Sequence, residues 1–313
     1  MSTILISHGL PKEDFACLKD HNIIIPELYS AFSPEELLKL IPGADAVIAC
    51  GKLPGEIIRA GKKLKIIANY GAGYDGVDIK TAAECNVPVT NIPDEVTHPT
   101  AELAVALMLA IARRVGEMNL RLRKEASEDL FGLGKYMGMT LAGRTLGIIG
   151  CGKIGSRVAQ VAKALGMRVI AYNRRGCDPD IAEPVGFDAL LQTADVVSLH
   201  CPLTDETRGM IDENAFARMK KGAIIINTAR GAVIDTDALV NALKSGHIAG
   251  AGVDVYPDEP HIPRELLEMD NVVCTPHIGS NTVQTRRDMA CACARRILDA
   301  LAGKRPENIV NGL

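Results

Sequence analysis

The fold of this chain is decided by one stretch, Thr145-Leu146-Gly147-Ile148-Ile149-Gly150-Cys151-Gly152-Lys153-Ile154-Gly155. Its first half is an apolar run typical of a buried strand, and its second half is a GxGxxG pattern that opens a helix. The apolar run from Met167 to Tyr172 predicts a second strand, which completes a βαβ unit. In this context Gly150 allows a tight turn, Gly152 leaves room for a pyrophosphate, and Gly155 lets helix and strand approach. The helix start at Lys153 and Ile154 then presents amides to the phosphates, so the stretch predicts a dinucleotide site.

The end of that second strand predicts which dinucleotide binds. About twenty residues beyond the glycines, an NAD-specific site places Asp or Glu to bond the ribose 2′-hydroxyl. This chain has Asn173-Arg174-Arg175 there. A neutral amide does not repel a 2′-phosphate, and a guanidinium group binds phosphate with two parallel hydrogen bonds. NADP is therefore favoured over NAD. The alternative is that the two arginines are merely solvated, that Asn173 does not discriminate between the coenzymes, and that NAD is the coenzyme.

The length of 313 residues suits two domains, each with its own apolar core. Short runs rich in Ile and Val alternate with helical patterns, which predicts parallel sheets. The predicted strands are 3–8, 46–50, 65–70, 87–92, 145–150, 167–173, 196–200, 223–229, 249–255 and 271–276. The run Ser33-Pro34-Glu35-Glu36 predicts a helix start with a capping box. Long helices are expected from 100 to 123 and from 282 to 302.

Composition and short motifs exclude several classes of protein. A formal net charge of -3 gives no general basic field for nucleic acid. The start of the chain lacks a signal-peptide pattern and no apolar stretch is long enough to span a bilayer, so we expect a soluble, cytoplasmic protein without membrane partners. The nine cysteines are scattered with no CxxC, which predicts reduced core thiols. No His and Cys spacing repeats a zinc-ligand pattern, so no metal is predicted.

Five segments together carry a more specific signal. They are Gly71-Ala72-Gly73-Tyr74-Asp75, Thr100-Ala101-Glu102-Leu103, Ile226-Asn227-Thr228-Ala229-Arg230-Gly231, Gly252-Val253-Asp254-Val255-Tyr256-Pro257-Asp258-Glu259-Pro260 and Thr275-Pro276-His277-Ile278-Gly279-Ser280. In these motifs and in their order, the chain resembles the D-isomer-specific 2-hydroxyacid dehydrogenases over almost its whole length. The resemblance implies an α/β fold of two doubly wound parallel-sheet domains, with a Rossmann dinucleotide-binding domain inserted into a flavodoxin-like substrate domain. The implied boundaries are 1–98 for the substrate domain, 99–282 for the dinucleotide domain and 283–313 for a return helix. A homodimer built mainly through the dinucleotide domain is also implied.

The resemblance further implies that an NAD(P)-dependent enzyme reduces a small 2-oxo acid to the D-2-hydroxy acid and catalyses the reverse reaction. The residue chemistry fits three catalytic roles. Arg230 would bind the substrate carboxylate and polarise the neighbouring carbonyl. His277 would protonate the developing alkoxide and take the proton back in oxidation. Glu259 would hydrogen-bond the far ring nitrogen of His277 and favour its charged form.

The remaining site residues follow from the same resemblance. Leu53, Ala72 and Gly73 are expected to contact substrate with Arg230 and His277, the Ala72 loop through backbone N–H groups. The other expected cofactor contacts are Thr100, His200, Cys201, Pro202, Thr207, Thr228, Ala229 and Asp254, the last facing the nicotinamide carboxamide. The basic strand end, the small Ala72-Gly73 loop and the plain two-domain length most resemble the glyoxylate and hydroxypyruvate reductases.

The same residues leave two other functions as alternatives. A nucleotide-sensing, corepressor-like binding protein would keep this fold but show negligible turnover with every 2-oxo acid. A formate dehydrogenase would call for Gln where this chain has Glu259. The reductase is therefore the favoured interpretation, with the sensor as its alternative.

Overall fold

The computed structural model describes residues 1–125 and 128–313. The strands in chain order are β1 (Thr3–Ile6), β2 (Asn22–Ile24), β3 (Ala46–Ala49), β4 (Ile66–Asn69), β5 (Val89–Thr90), β6 (Thr145–Ile149), β7 (Arg168–Tyr172), β8 (Glu183–Pro184), β9 (Val196–Leu199), β10 (Ala223–Asn227), β11 (Ile248–Val253) and β12 (Val272–Cys274). The α-helices are α1 (Pro34–Leu40), α2 (Gly55–Ala60), α3 (Ile79–Glu84), α4 (Pro93–Ala112), α5 (Val115–Glu125), α6 (Lys153–Ala164), α7 (Phe187–Thr193), α8 (Glu213–Arg218), α9 (Thr236–Lys244), α10 (Arg264–Leu267) and α11 (Val283–Leu301).

The first compact unit consists of Met1–Val96 and Thr282–Leu313. Its described strands form a parallel sheet in the order β2-β1-β3-β4-β5, which is the flavodoxin order. Strands β3 and β4 are buried along their whole length, as expected when helices cover both faces of a parallel sheet. Helix α11 belongs to this unit because its buried residues, such as Met289 and Ile297, pack in one cluster with Ile66 and Ala68.

The second compact unit is Thr97–Asn281. Its described strands are all parallel, in the order β12-β11-β10-β9-β6-β7-β8, which contains the Rossmann order with β6 at the point where strand order reverses. Residue Ile149 at the end of β6 pairs in register with Tyr172 and with Leu199. The loops after β6, β7 and β9 therefore leave the sheet side by side. The predicted fold class of two parallel α/β domains is confirmed.

Most predicted elements exist, and the differences have local causes. The capping box is present, with Glu36 N donating to Ser33 Oγ at 3.2 Å and Ser33 N donating to Glu36 Oε2 at 2.8 Å. The single helix expected from 100 to 123 is wrong, because the chain forms α4 and α5 with a break at Arg114, whose φ is 56°. Helix α4 begins seven residues earlier than expected, at Pro93, with Asp94 in its first turn. Strands β2 and β8 were missed because each is too short to show a periodic pattern.

The prediction of nine reduced core thiols is wrong for five of them. Cys17, Cys85 and Cys291 are exposed, and Cys151 and Cys177 form a disulfide. The pair is separated by 26 residues in sequence, so no local motif marks it, and only the pairing of β6 with β7 brings its two loops together. Within 1–125 and 128–313, no helix combines the length and the apolar character that a membrane span requires.

Candidate active site

His277 and Glu259 lie together on loops that follow β12 and β11. His277 Nδ1 is 2.7 Å from Glu259 Oε2, and Glu259 Oε1 accepts a hydrogen bond of 3.0 Å from Tyr256 N. The second contact fixes the carboxylate independently of the histidine. An ionised carboxylate only accepts hydrogen bonds, so in a neutral ring Nδ1 carries the proton and Nε2 is the acceptor nitrogen. The arrangement is that of an oriented general acid or base.

The backbone of His277 is held in an unusual conformation by Asp254. The φ of His277 is 52°, in the left-handed region, and its N–H donates to Asp254 O at 2.9 Å. The buried Asp254 carboxylate accepts from Thr275 Oγ1 at 2.6 Å, Ile278 N at 2.8 Å and Gly279 N at 2.9 Å. Burial raises the pKa of Asp254, and these hydrogen bonds act against that rise. Asp254 therefore anchors the histidine loop, while its expected contact with a nicotinamide stays a prediction.

Arg230 is presented by a loop that is fastened at the end of β10. Asn227, the last residue of that strand, accepts from Ala229 N at 3.0 Å and donates from Nδ2 to Arg230 O at 2.9 Å. A Cβ on Gly231 would collide with the backbone of Tyr256, so the Arg230 loop packs against the segment that leads to Glu259. Arg230 and the Glu259–His277 pair thus stand on adjoining, fixed loops.

The glycine turn after β6 fits a dinucleotide in its backbone geometry. Gly150 has a φ of +97°, and a Cβ there would come within 2.5 Å of Cys201 N. A Cβ on Gly155 would collide with Gly150 O, whereas Gly152 faces open space. Helix α6 has no side-chain cap at Gly152, and the first turn of a helix is the usual place where backbone amides bind phosphate. The hydroxyl of Thr228 is buried without a hydrogen-bond partner among the described residues. Because buried polar groups are normally hydrogen-bonded, this hydroxyl is a candidate for a bond to a ligand.

The loop from Asn173 to Cys177, which we name the reader loop, follows β7. Asn173 Nδ2 donates to Gly176 O, and Gly176 N donates back to Asn173 O at 2.9 Å, so the loop is closed by its own bonds. Arg174 and Arg175 are exposed at its tip. Sequence reasoning missed Glu206, whose Oε1 lies 3.6 Å from Arg174 Nη1 and which competes for that guanidinium. An exposed ion pair of this kind contributes only about 0–1 kcal/mol, so a phosphate can replace it.

Several residues of the segment 200–207 that are predicted to contact the coenzyme have structural roles. His200 bonds Ser198 Oγ through Nε2 at 2.8 Å, and burial lowers its pKa to about 4. Burial also raises the pKa of Cys201 to about 11, so both side chains are neutral near pH 7. The Thr207 hydroxyl donates to Pro202 O at 2.7 Å and accepts from Thr204 N at 2.8 Å, which shapes the loop. Coenzyme contacts by this loop stay a prediction, as they do for Thr100 and Ala229, which are both buried.

The loop from Tyr70 to Tyr74 in the first unit, the Ala72 loop, is fastened by two amide side chains. Asn69, at the end of β4, donates to Gly71 O at 2.9 Å and to Gly73 O at 3.0 Å, and Asn91 donates to Ala72 O at 2.7 Å. With the carbonyls held in this way, the Ala72 and Gly73 amides make no hydrogen bond to another residue that the structure describes. These two N–H groups can donate hydrogen bonds to an anion.

Leu53 does not match its expected role as a substrate contact. Its side chain is fully buried and packs in the apolar cluster that contains Ile57 and Val77. The sequence pattern placed it in a loop near Cys50, but the bridge between Leu53 and Val77 draws it into the core. The structure thus corrects Leu53 to a packing residue.

Sequence reasoning also missed Asn69, Asn91 and Asn227 as loop anchors. A usable signal existed for two of them, because Asn69 and Asn227 are polar residues at the carboxyl ends of fully buried parallel strands. Ligands bind at those strand ends, and a buried amide there needs local partners.

Comparisons with known proteins agree with this geometry. Residues 105–279 match the family model described as D-isomer specific 2-hydroxyacid dehydrogenase, NAD binding domain. A glyoxylate reductase of Thermococcus litoralis is 44% identical over 285 residues, which cover 88% of this chain and 86% of the relative. A solved protein of Thermus thermophilus has a TM-score of 0.92 at 39% identity and covers 98% of this chain and 99% of its own. An NADPH-dependent glyoxylate/hydroxypyruvate reductase of Sinorhizobium meliloti, solved in complex with NADP and malonate, has a TM-score of 0.88 at 28% identity, covering 99% of this chain and 96% of its own.

Proposed function

Because the chain belongs to the D-isomer specific 2-hydroxyacid dehydrogenase family, we propose that it reduces a small 2-oxo acid of the glyoxylate or hydroxypyruvate kind, with NADPH as the preferred coenzyme. The observation that carries the proposal is the 2.7 Å contact between His277 Nδ1 and Glu259 Oε2. It supplies an oriented acid whose other nitrogen exchanges a proton. The first unit would be the substrate domain and the second the dinucleotide domain, in keeping with the family match at 105–279.

The proposed chemistry needs an anchor, a proton and a hydride. Arg230 would bind the carboxylate of the 2-oxo acid and draw electron density from the adjacent carbonyl. The Ala72 and Gly73 amides would also bind the carboxylate. His277 Nε2 would give its proton to the carbonyl oxygen as that oxygen becomes an alkoxide, with Glu259 stabilising the imidazolium before transfer. The bound nicotinamide would supply the hydride to the carbonyl carbon.

NADPH preference is supported by the sign of the charges at the reader loop. Arg174 and Arg175 stand at the exposed tip, and Asn173 takes the place where an NAD-specific site has a carboxylate. One charge-assisted hydrogen bond to a 2′-phosphate is worth roughly 1.5–3 kcal/mol, which corresponds to tenfold or more in affinity. Glu206 reduces this advantage without cancelling it.

We also propose a homodimer formed through the second unit. Apolar side chains are exposed on α5 and on the segment that follows it, namely Leu120, Leu122, Phe131, Leu133 and Met137. These five residues fall within one stretch of eighteen residues, and a contiguous exposed apolar patch marks an interaction surface. Light scattering should give the mass of a dimer for the wild type and of a monomer for Leu120→Glu. The matched change Leu267→Glu, at an exposed leucine of α10, should leave the mass unaltered, and a monomeric wild type would count against the dimer.

The proposed reaction is tested by following NADPH and NADH oxidation over glyoxylate, hydroxypyruvate, pyruvate, phenylpyruvate and 2-ketogluconate. We expect turnover with the smaller acids and a higher kcat/KM for NADPH. His277→Ala should lower kcat by about 10²–10⁴-fold, whereas the exposed His261→Ala serves as the control. Arg230→Ala should lower kcat/KM for the 2-oxo acid. Coenzyme binding without oxidation by any of the acids would favour the corepressor-like sensor instead.

A further inference from the structure

Cys151 and Cys177 join the two loops that would hold opposite ends of the adenosine diphosphate. Cys151 lies between Gly150 and Gly152 in the phosphate turn, and Cys177 closes the reader loop. The two residues form a disulfide with a Cα–Cα distance of 5.9 Å, inside the ordinary range for such bonds. The in-register pairing of Ile149 with Tyr172 brings the loops together.

The surroundings of both sulfurs favour reversible thiol chemistry. Both residues are half-buried, so small reagents reach them. Cys151 lies two residues before Lys153, the first residue of α6, and Cys177 lies two residues after Arg175. Helix N-termini and basic neighbours stabilise a thiolate, the form that attacks disulfides. The buried Cys201 and Cys293 lack such access.

The disulfide is the covalent connection between the reader loop and the phosphate turn. The bonds between Asn173 and Gly176 close the reader loop on itself and do not reach the turn. Arg174 is otherwise paired with Glu206, an exposed contact that restrains it weakly. Reduction therefore releases the loop that carries the arginines from the turn that carries the phosphates.

We propose that Cys151 and Cys177 are a reversible thiol–disulfide site that controls NADPH affinity. The inference rests on the proposed use of NADPH. In the oxidised form the reader loop is fixed against the phosphate turn, and in the reduced form coenzyme binding must fix the position of the loop and of its arginine side chains. Ordering one long side chain corresponds to roughly a twofold to tenfold loss of affinity. NADH, which has no 2′-phosphate, should be affected less.

A low-molecular-weight disulfide such as oxidised glutathione is the oxidant. One cysteine thiolate attacks it, forms a mixed disulfide and releases one glutathione thiolate. The second cysteine thiolate attacks the protein sulfur of that mixed disulfide, forms the Cys151–Cys177 bond and releases the second glutathione. The two protein thiols lose two electrons and two protons, and one glutathione disulfide becomes two glutathione thiols.

The test compares one protein in two redox states. Full-length enzyme is reduced with dithiothreitol or oxidised with glutathione disulfide, and tryptic mass mapping identifies the Cys151–Cys177 peptide pair. Dissociation constants for NADPH and NADH are then measured from coenzyme fluorescence, which the absence of tryptophan makes simple. Cys177→Ser should bind NADPH like the reduced enzyme in both conditions, while Cys85→Ser, at an exposed unpaired cysteine, should behave like wild type.

We expect the linked peptide after oxidation and a roughly twofold to tenfold lower dissociation constant for NADPH in that state. Failure to form the link in the folded enzyme overturns the proposal, and so does NADPH binding that is equal or weaker after oxidation. The proposed function is judged separately, by the reduction of 2-oxo acids by the dithiothreitol-reduced enzyme, which does not require the disulfide.

Discussion

Replacing Asn227 should loosen Arg230 without touching any substrate atom. The Asn227 side chain is 1% exposed and makes two hydrogen bonds, one from Ala229 N and one to Arg230 O. In Asn227→Ala the buried Ala229 N–H loses its acceptor, which costs about 1–3 kcal/mol. Arg230 O keeps a hydrogen bond of 3.2 Å from Val233 N and is therefore not left unpaired. Losing its bond from Asn227 Nδ2 costs only the net value of one hydrogen bond, about 0.5–1.5 kcal/mol. The free energy of unfolding should therefore fall by roughly 2–4 kcal/mol, which a domain of ordinary stability survives.

Kinetics distinguish a loop anchor from a purely structural residue. If Asn227 acts through Arg230, Asn227→Ala should lower kcat/KM for the 2-oxo acid in wild type but not further in Arg230→Ala. The wild type, the two single variants and the double variant, assayed with saturating NADPH and checked for folding by urea titration, complete the double-mutant cycle. The exposed Asn241→Ala, on α9, controls for asparagine removal elsewhere. Additive losses in the double variant would refute the mechanism, because they would show that Asn227 does not work through the arginine.

Three further results are expected from single changes. Glu259→Gln should lower reductive kcat by roughly tenfold to hundredfold, because the His277 ring loses the carboxylate that orients it; an unchanged kcat contradicts this role. Glu206→Gln should lower KM for NADPH by up to about fivefold with little change for NADH, and an unchanged NADPH value would show that Glu206 does not compete for Arg174. Burial lowers the pKa of His200 to about 4 from 6.5, so the unfolded chain binds the extra proton between these values. Thermal melts should show wild type losing stability relative to His200→Asn as pH falls from 6.5 to 4, by at most about 1.4 kcal/mol per pH unit, and parallel curves would contradict the shift.

Local sequence chemistry was sufficient for most of the fold and for part of the site. Buried parallel strands such as β3 and β10 are apolar runs bounded by turns, so their patterns are visible without a structure. The glycine spacing and the Ser33 capping box are likewise local. Hydrogen bonding between Asn227 and the Arg230 loop was not predicted, although only three residues separate them, because an asparagine at a strand end has several possible partners.

Longer-range features had no sequence signal of their own. The Cys151–Cys177 pair depends on two loops leaving neighbouring strands at one edge, and the Arg174–Glu206 pair depends on a loop beyond β9. Leu53 was misassigned because the bridge that buries it involves residues beyond its own loop. Sequence periodicity reports which face of an element is apolar, but not which loops meet.

The Ala72 loop and the Arg230 loop are fastened by asparagines, whose side chains do not titrate. Asn69 ends β4 and Asn227 ends β10, and each holds the backbone that follows it through a neutral amide. An aspartate could accept the same N–H of Ala229, but it would place a negative charge beside Arg230 and the substrate carboxylate, and its bonding would change on protonation. An amide does neither. The Ala72 loop and the Arg230 loop are therefore held by the same hydrogen bonds at any pH at which the chain is folded, whereas the His277 loop is anchored by a carboxylate, that of Asp254.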